Sequence, residues 1–148
     1  MVKLIKNTSG QSLFEVIIAI GITSAILVAI INTAILSVRN TSFSRNKTLA
    51  SRYSQQASEW LRSQRDENWQ TFTTYSDATW CLKDLDWTRA RTCSDTDNIT
   101  ATPFKRELTL TTVSANQIDA KITVFWNDSQ GYHEVKVSTY YTDWRSTR

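Results

Sequence analysis

Apolar residues fall into three successive patterns along the chain. From Val16 to Leu36 they form one nearly unbroken run, VIIAIGITSAILVAIINTAIL. As a helix this run would cover about 31 Å, one hydrocarbon thickness. Gly21, Thr23, Ser24, Asn32 and Thr33 interrupt it, but small and hydroxyl residues suit membrane helices and close helix contacts. From Ser37 to Asn68 there is no Gly or Pro, and Leu49, Tyr53, Ala57, Trp60 and Leu61 make one stripe of a 3.6-residue period. Arg52, Gln55, Glu59 and Arg62 lie opposite. The two stretches together predict one helix from about Gln11 to Glu67, apolar all round in front and amphipathic behind.

The periodicity then fails from Trp69 to Pro103, which predicts an irregular connection. Strict alternation follows in ELTLTTV, IDAKITVFWN and HEVKVSTYYTDW, the mark of half-buried antiparallel strands. The NDSQG stretch is read as a turn, with Gly131 free to take positive φ. The expected fold class is α+β: a long N-terminal helix packed on a small antiparallel β-meander head. The organisation expected is a leader over 1–10, a membrane or filament-core helix over 11–36 and an amphipathic continuation over 37–68. The head would occupy 69–148, with the connection at 69–104 and the strands at 105–148.

One residue breaks the front run. Glu15 places a carboxylate at its start, and an ionised carboxylate in hydrocarbon is costly without a partner. Ser9-Gly10, a small-residue pair of the kind that marks cleavage, precedes the run rather than following it as in a secretory signal. A cut there would shed MVKLIKNTSG and keep the helix.

These residues, G–QSLFE–VIIAI behind a short basic leader, resemble the class III signal of type IV pilins and type II secretion pseudopilins. QQASEWLRSQRDENW and ITVFWNDSQGYHEVKVSTYYTDWR are similar to the helix end and the closing hairpin of minor pilins and pseudopilins of the I/V type. The resemblance implies cleavage by a prepilin peptidase between Gly10 and Gln11, with N-methylation of the new terminus. The first mature residue in that family is more often Phe, and an N-terminal Gln can also cyclise to a neutral ring, so both fates are open for Gln11. It further implies that Glu15 pairs with the terminal amine of a neighbouring subunit during assembly; the alternative is that it pairs with its own amine one turn away or snorkels to the interface. The implied partners are other pilin or pseudopilin subunits, the peptidase and an inner-membrane assembly platform. The implied location is the cytoplasmic membrane, single-pass, with the head outside and entering a cell-surface or periplasmic filament. Arg39, Arg45, Lys47 and Arg52 would by themselves put that side in the cytoplasm; the resemblance and the cysteines favour the outside.

Charge and cysteines refine this picture. The formal charge is +3, but 17 Lys and Arg less the leader's Lys3 and Lys6 leave 15 against 14 Asp and Glu. A near-neutral mature chain speaks against a nucleic-acid partner. Cys81 and Cys93 lack a CxxC spacing, so a structural disulfide or two free thiols remain the alternatives, and an oxidising compartment favours the first. Closing that loop would bring Asp84 and Asp86 toward Asp95 and Asp97, an oxygen set suited to calcium, though without the EF-hand spacing; a solvated polar loop is the competing reading. Trp80 and Trp87 beside Arg89 and Arg91 could clamp single-stranded DNA or instead build the core. His133 is the lone histidine, and three glycines make no phosphate loop. No cofactor and no enzymatic activity are expected. The function expected is that of a structural filament subunit, with a tip adhesin or DNA-binding minor pilin as the alternative.

Overall fold

The structure is a computed structural model that describes residues 9–144, with side chains from Leu13 onward. Residues 1–8 and the side chains of residues 9–12 lie outside the described residues, and with them the expected leader over 1–10 and the expected cleavage at Gly10 and Gln11. The element order is α1 (Ser9–Glu67), α2 (Trp69–Thr73), β1 (Ala78–Cys81), β2 (Lys105–Ser114), β3 (Gln117–Asp128) and β4 (Gly131–Thr142). The chain forms two compact units, one ending at Ser44 and the other beginning at Arg45. The boundary falls inside α1, so the rear of that helix is part of the head.

In the first unit α1 runs without a proline. Thr23 Oγ1 donates to Ala19 O and Ile20 O, and Thr33 Oγ1 to Ile30 O. These hydroxyls are thereby satisfied within the helix and add no polar demand to its apolar surface.

In the head, α1 lies on an antiparallel sheet of strand order β1-β2-β3-β4. The buried line on the helix is Ala50, Ser54, Ala57 and Leu61, all at 0% exposure, and Ser54 Oγ donates to Ala50 O. Three of these four are small. Tyr53 and Trp60 from the expected stripe sit half-buried beside this line, where Tyr53 meets Phe104 and Trp60 meets Trp87. The sheet contributes Leu108 and Leu110 from β2, then Ile118, Ala120, Ile122, Val124 and Trp126 from β3. Tyr141 Oη donates to Ser58 O at 2.9 Å.

α1 ends where Asn68 turns extended (φ −156°, ψ 107°) and its side chain accepts from Thr71 N to cap α2. Two short elements, α2 and β1, thus occupy the segment expected to be irregular. Asp77 explains β1: in the left-handed region at φ 58°, it accepts from Thr112 N and Thr112 Oγ1 and holds the strand start against β2. The tight β3–β4 connection places Gly131 at φ 112°, as the turn chemistry requires.

Candidate functional site

The first unit offers an exposed apolar surface. Large apolar side chains from Leu13 to Val38 are 45–67% exposed all round the helix. An eighteen-residue window of this helix reaches a mean hydropathy of 2.6 with none of it buried. Such a helix is long and apolar enough to cross a membrane, by length and composition. Glu15 is exposed on it and is the sole acid between Leu13 and Val38. At Gly21 an added Cβ would meet nothing within 4 Å, so the protomer's own packing does not demand that glycine.

In the head the two cysteines are joined: Cys81 and Cys93 form a disulfide with Cα atoms 4.9 Å apart. Cys81 lies on β1, and Cys93 N donates to Glu107 Oε1 at 2.7 Å, so the loop is tied to two neighbouring strands. Inside it, the acids and bases that the sequence suggested as separate groups meet one another. Arg89 stands between Asp84 (3.5 Å), Asp86 (3.7 Å) and Asp97 (4.0 Å). Asp97 also receives Arg91 Nη1 at 2.6 Å, together with Ser94 N and Ser94 Oγ. Asp95 pairs with Lys105 at 2.8 Å on the other side.

These contacts hold the carboxyls below their ordinary range. The Arg91 bond followed by the Ser94 bonds does so strongly for Asp97, the Thr88 hydroxyl does so for Asp86, and Lys105 for Asp95. The Arg89 guanidinium thus stands among Asp84, Asp86 and Asp97, three of the four acids considered as calcium ligands, and Lys105 holds the fourth, Asp95. Among the described residues no three His, Cys, Asp or Glu side chains stand together in a way that could hold a metal ion.

The aromatic residues of the same loop face inward. Trp87 stacks on Tyr75 at 4.2 Å and 5° and meets Trp60, Trp80 and Phe72, while its Nε1 donates to Gln64 Oε1. Trp80 Nε1 donates to Tyr75 O. Both faces of a nucleic-acid clamp are thus committed, the rings to the core and the guanidiniums to carboxylates. His133 pairs with Asp128 at 3.0 Å beside the Trp126 ring.

Periodicity pointed to Arg106 without its being read there. It is in phase with Leu108 and Leu110 on β2 and therefore points into the head, where it is 2% exposed. Its Nε donates to Leu82 O, and Nη1 donates to Tyr53 O and Gln56 Oε1. Among the described residues no carboxylate reaches ion-pair distance of it. Burial pushes its pKa down to about 10, which leaves it charged at neutral pH. It clamps β2 to the carbonyls of α1 and of the loop after β1.

Comparison with protein-family models, with curated proteins and with solved structures finds no match to this chain.

Proposed function

We propose that this chain is a structural subunit, a minor pilin or pseudopilin, of a type IV filament machine of the pilus or type II secretion kind. A prepilin peptidase cuts it after Gly10. The helix waits in the cytoplasmic membrane with the head outside, and an inner-membrane platform draws it into a bundle of other subunits. The observation that carries this reading is the uncovered apolar surface from Leu13 to Val38 with a single carboxylate near its front. A surface of this extent is stable against hydrocarbon or against like helices, and in water it would drive aggregation.

Glu15 gives the bundle its axial register. A carboxylate in hydrocarbon and a newly freed amine at Gln11 of a neighbour are each costly alone and tolerable together. The disulfide fits the head's side of the membrane, since such bonds persist in oxidising compartments.

The test has two parts. Mass spectrometry of the chain from membranes is expected to find a polypeptide beginning at Gln11, and one beginning at Met1 would refute processing. Glu15→Ala is expected to keep membrane insertion while abolishing recovery in sheared filaments. Undiminished recovery would refute the assembly role.

A further inference from the structure

The cations of this chain are treated in two ways. In the head, Arg62, Arg65, Arg89, Arg91, Lys105 and Lys136 each have a carboxylate within ion-pair distance. On α1 just past the apolar run, Arg39, Arg45 and Lys47 are exposed. Among the described residues no carboxylate reaches ion-pair distance of these three. Nor can their own helix supply one, because the next acid after Glu15 is Glu59. Apart from Val38 and Phe43, residues 37–48 are all Ser, Thr, Asn, Arg or Lys. The stretch is thus rich in donors and holds no negative charge.

Position says what meets them. Arg39 directly follows Val38, the last exposed large apolar side chain of the run. Arg45 and Lys47 come about 10 and 14 Å of helical rise beyond Val38. The headgroup layer adds about 5–8 Å to each side of the hydrocarbon, and long basic side chains lean back toward it. Arg52, about 21 Å past Val38, stands out of its reach. Arg45 and Lys47 also project from opposite sides of the helix, about 160° apart at 3.6 residues per turn. A protein neighbour would cover one of those sides and leave the other charge unmatched. A layer of headgroups surrounds the helix and meets both.

We propose that Arg39, Arg45 and Lys47 form a collar that binds the phosphates of anionic phospholipids where α1 leaves the bilayer. Basic residues beside a membrane span are attracted to anionic lipid in this way, and more weakly as salt rises. The collar also fixes depth. Sliding inward carries Arg39 into hydrocarbon, and sliding outward parts all three cations from phosphate. The inference rests on α1 being a membrane helix; it needs neither cleavage at Gly10 nor entry into a filament.

The experiment uses the full chain in neutral-detergent micelles containing equal amounts of phosphatidylglycerol and phosphatidylcholine. The chain is captured and the lipid carried with it is quantified. Phosphatidylglycerol is expected to be enriched about fivefold or more. Arg39→Gln, Arg45→Gln and Lys47→Gln together should bring the ratio close to one, as should strong salt. Arg52→Gln should leave the enrichment intact, and inorganic phosphate should compete no better than chloride at matched ionic strength. Equal capture of the two lipids would overturn the collar, and so would a triple variant that behaves as the parent. Loss of enrichment on Arg52→Gln alone would also overturn it, as would displacement by inorganic phosphate. A triple variant that keeps its lipid but is no longer recovered in sheared filaments would assign the cations to a neighbouring subunit instead. Flotation with neutral vesicles tests the span separately. A chain that floats without enriching phosphatidylglycerol refutes the collar alone, and one that does not float removes the membrane reading and the collar with it.

Discussion

Arg106→Lys keeps the charge in place and removes the fork, which makes it a sharp test of how the head is held together. The native guanidinium serves three acceptors in different directions, Leu82 O at 3.1 Å, Tyr53 O at 3.1 Å and Gln56 Oε1 at 3.2 Å. A lysine ammonium is a single point and cannot reach all three. The residue stays where its predecessor was 2% exposed, so water does not replace the missing partners. Hydrogen bonds from a charged donor contribute about 1.5–3 kcal/mol each, and losing one or two while the cation stays buried costs about 2–4 kcal/mol. For a head of this size that is a fall in Tm of about 10–20 °C.

Arg106→Met is the companion variant. It removes the buried charge and preserves bulk, but it strands Leu82 O, whose residue is at 0% exposure. Tyr53 O keeps its helical bond and Gln56 is at the surface. Methionine should therefore cost about 1–3 kcal/mol, less than lysine. The assay is thermal unfolding of the full chain in micelles, followed by fluorescence of the tryptophans packed in the head. A lysine variant within about 2 °C of the parent (by the same conversion, a loss well under 1 kcal/mol) would refute the reasoning. A methionine variant less stable than lysine would show that volume, not the fork, is what the position requires.

Three further outcomes follow from the head and the helix. Replacing both Cys81 and Cys93 by Ser frees a short loop in the unfolded chain and is expected to cost about 3 kcal/mol, read as a lower denaturant midpoint; an unchanged midpoint would refute it. Asp97 is held well below its ordinary value of 3.8, first by Arg91 and then by Ser94. Its contribution to stability is therefore present above the unfolded pKa and lost as pH falls from about 4 toward its folded value. Asp97→Asn should flatten the acid limb of the stability curve, and an equally steep limb would place the acid sensitivity elsewhere. Membrane retention is expected to survive Glu15→Ala but to fail when Ile26 and Ile30 are both changed to Lys, as flotation of membranes would report.

The parts of the fold with a single unopposed period were legible in the sequence. β3 alternates Ile118, Ala120, Ile122, Val124 and Trp126 inward without exception, and the structure buries every one. The helix was legible as a helix, and its expected stripe held Ala57 and Leu61, but the front of the contact line is displaced by one residue, from Leu49 and Tyr53 to Ala50 and Ser54. Tyr53 and Trp60 dominate any hydrophobic count, whereas the fully buried line holds the small Ala50, Ser54 and Ala57. β1 is four residues among polar neighbours and carries no period of its own; its partner β2 and the Asp77–Thr112 bonds define it.

The acids and arginines of the stapled loop were visible as two constellations, one for a metal and one for DNA. That each is the other's partner depends on the fold of residues 82–97, where local pattern is silent. The interleaving of opposite charges in that short loop was the available clue. Arg106 was the converse case, since its phase with Leu108 and Leu110 announced an inward charge.

The contact line of small residues has a mechanical corollary. Ala50, Ser54 and Ala57 form a smooth rail that offers little resistance to sliding of α1 along the sheet. Grip along the axis falls to the bulk of Leu61, the Tyr53 and Trp60 rings against Phe104 and Trp87, and the bonds of Arg106 to Tyr53 and Gln56, of Tyr141 to Ser58 and of Trp87 to Gln64. A tug on the rod would load these fasteners in shear before it disturbed any strand pairing, so the head should slip as an intact block before its sheet unravels.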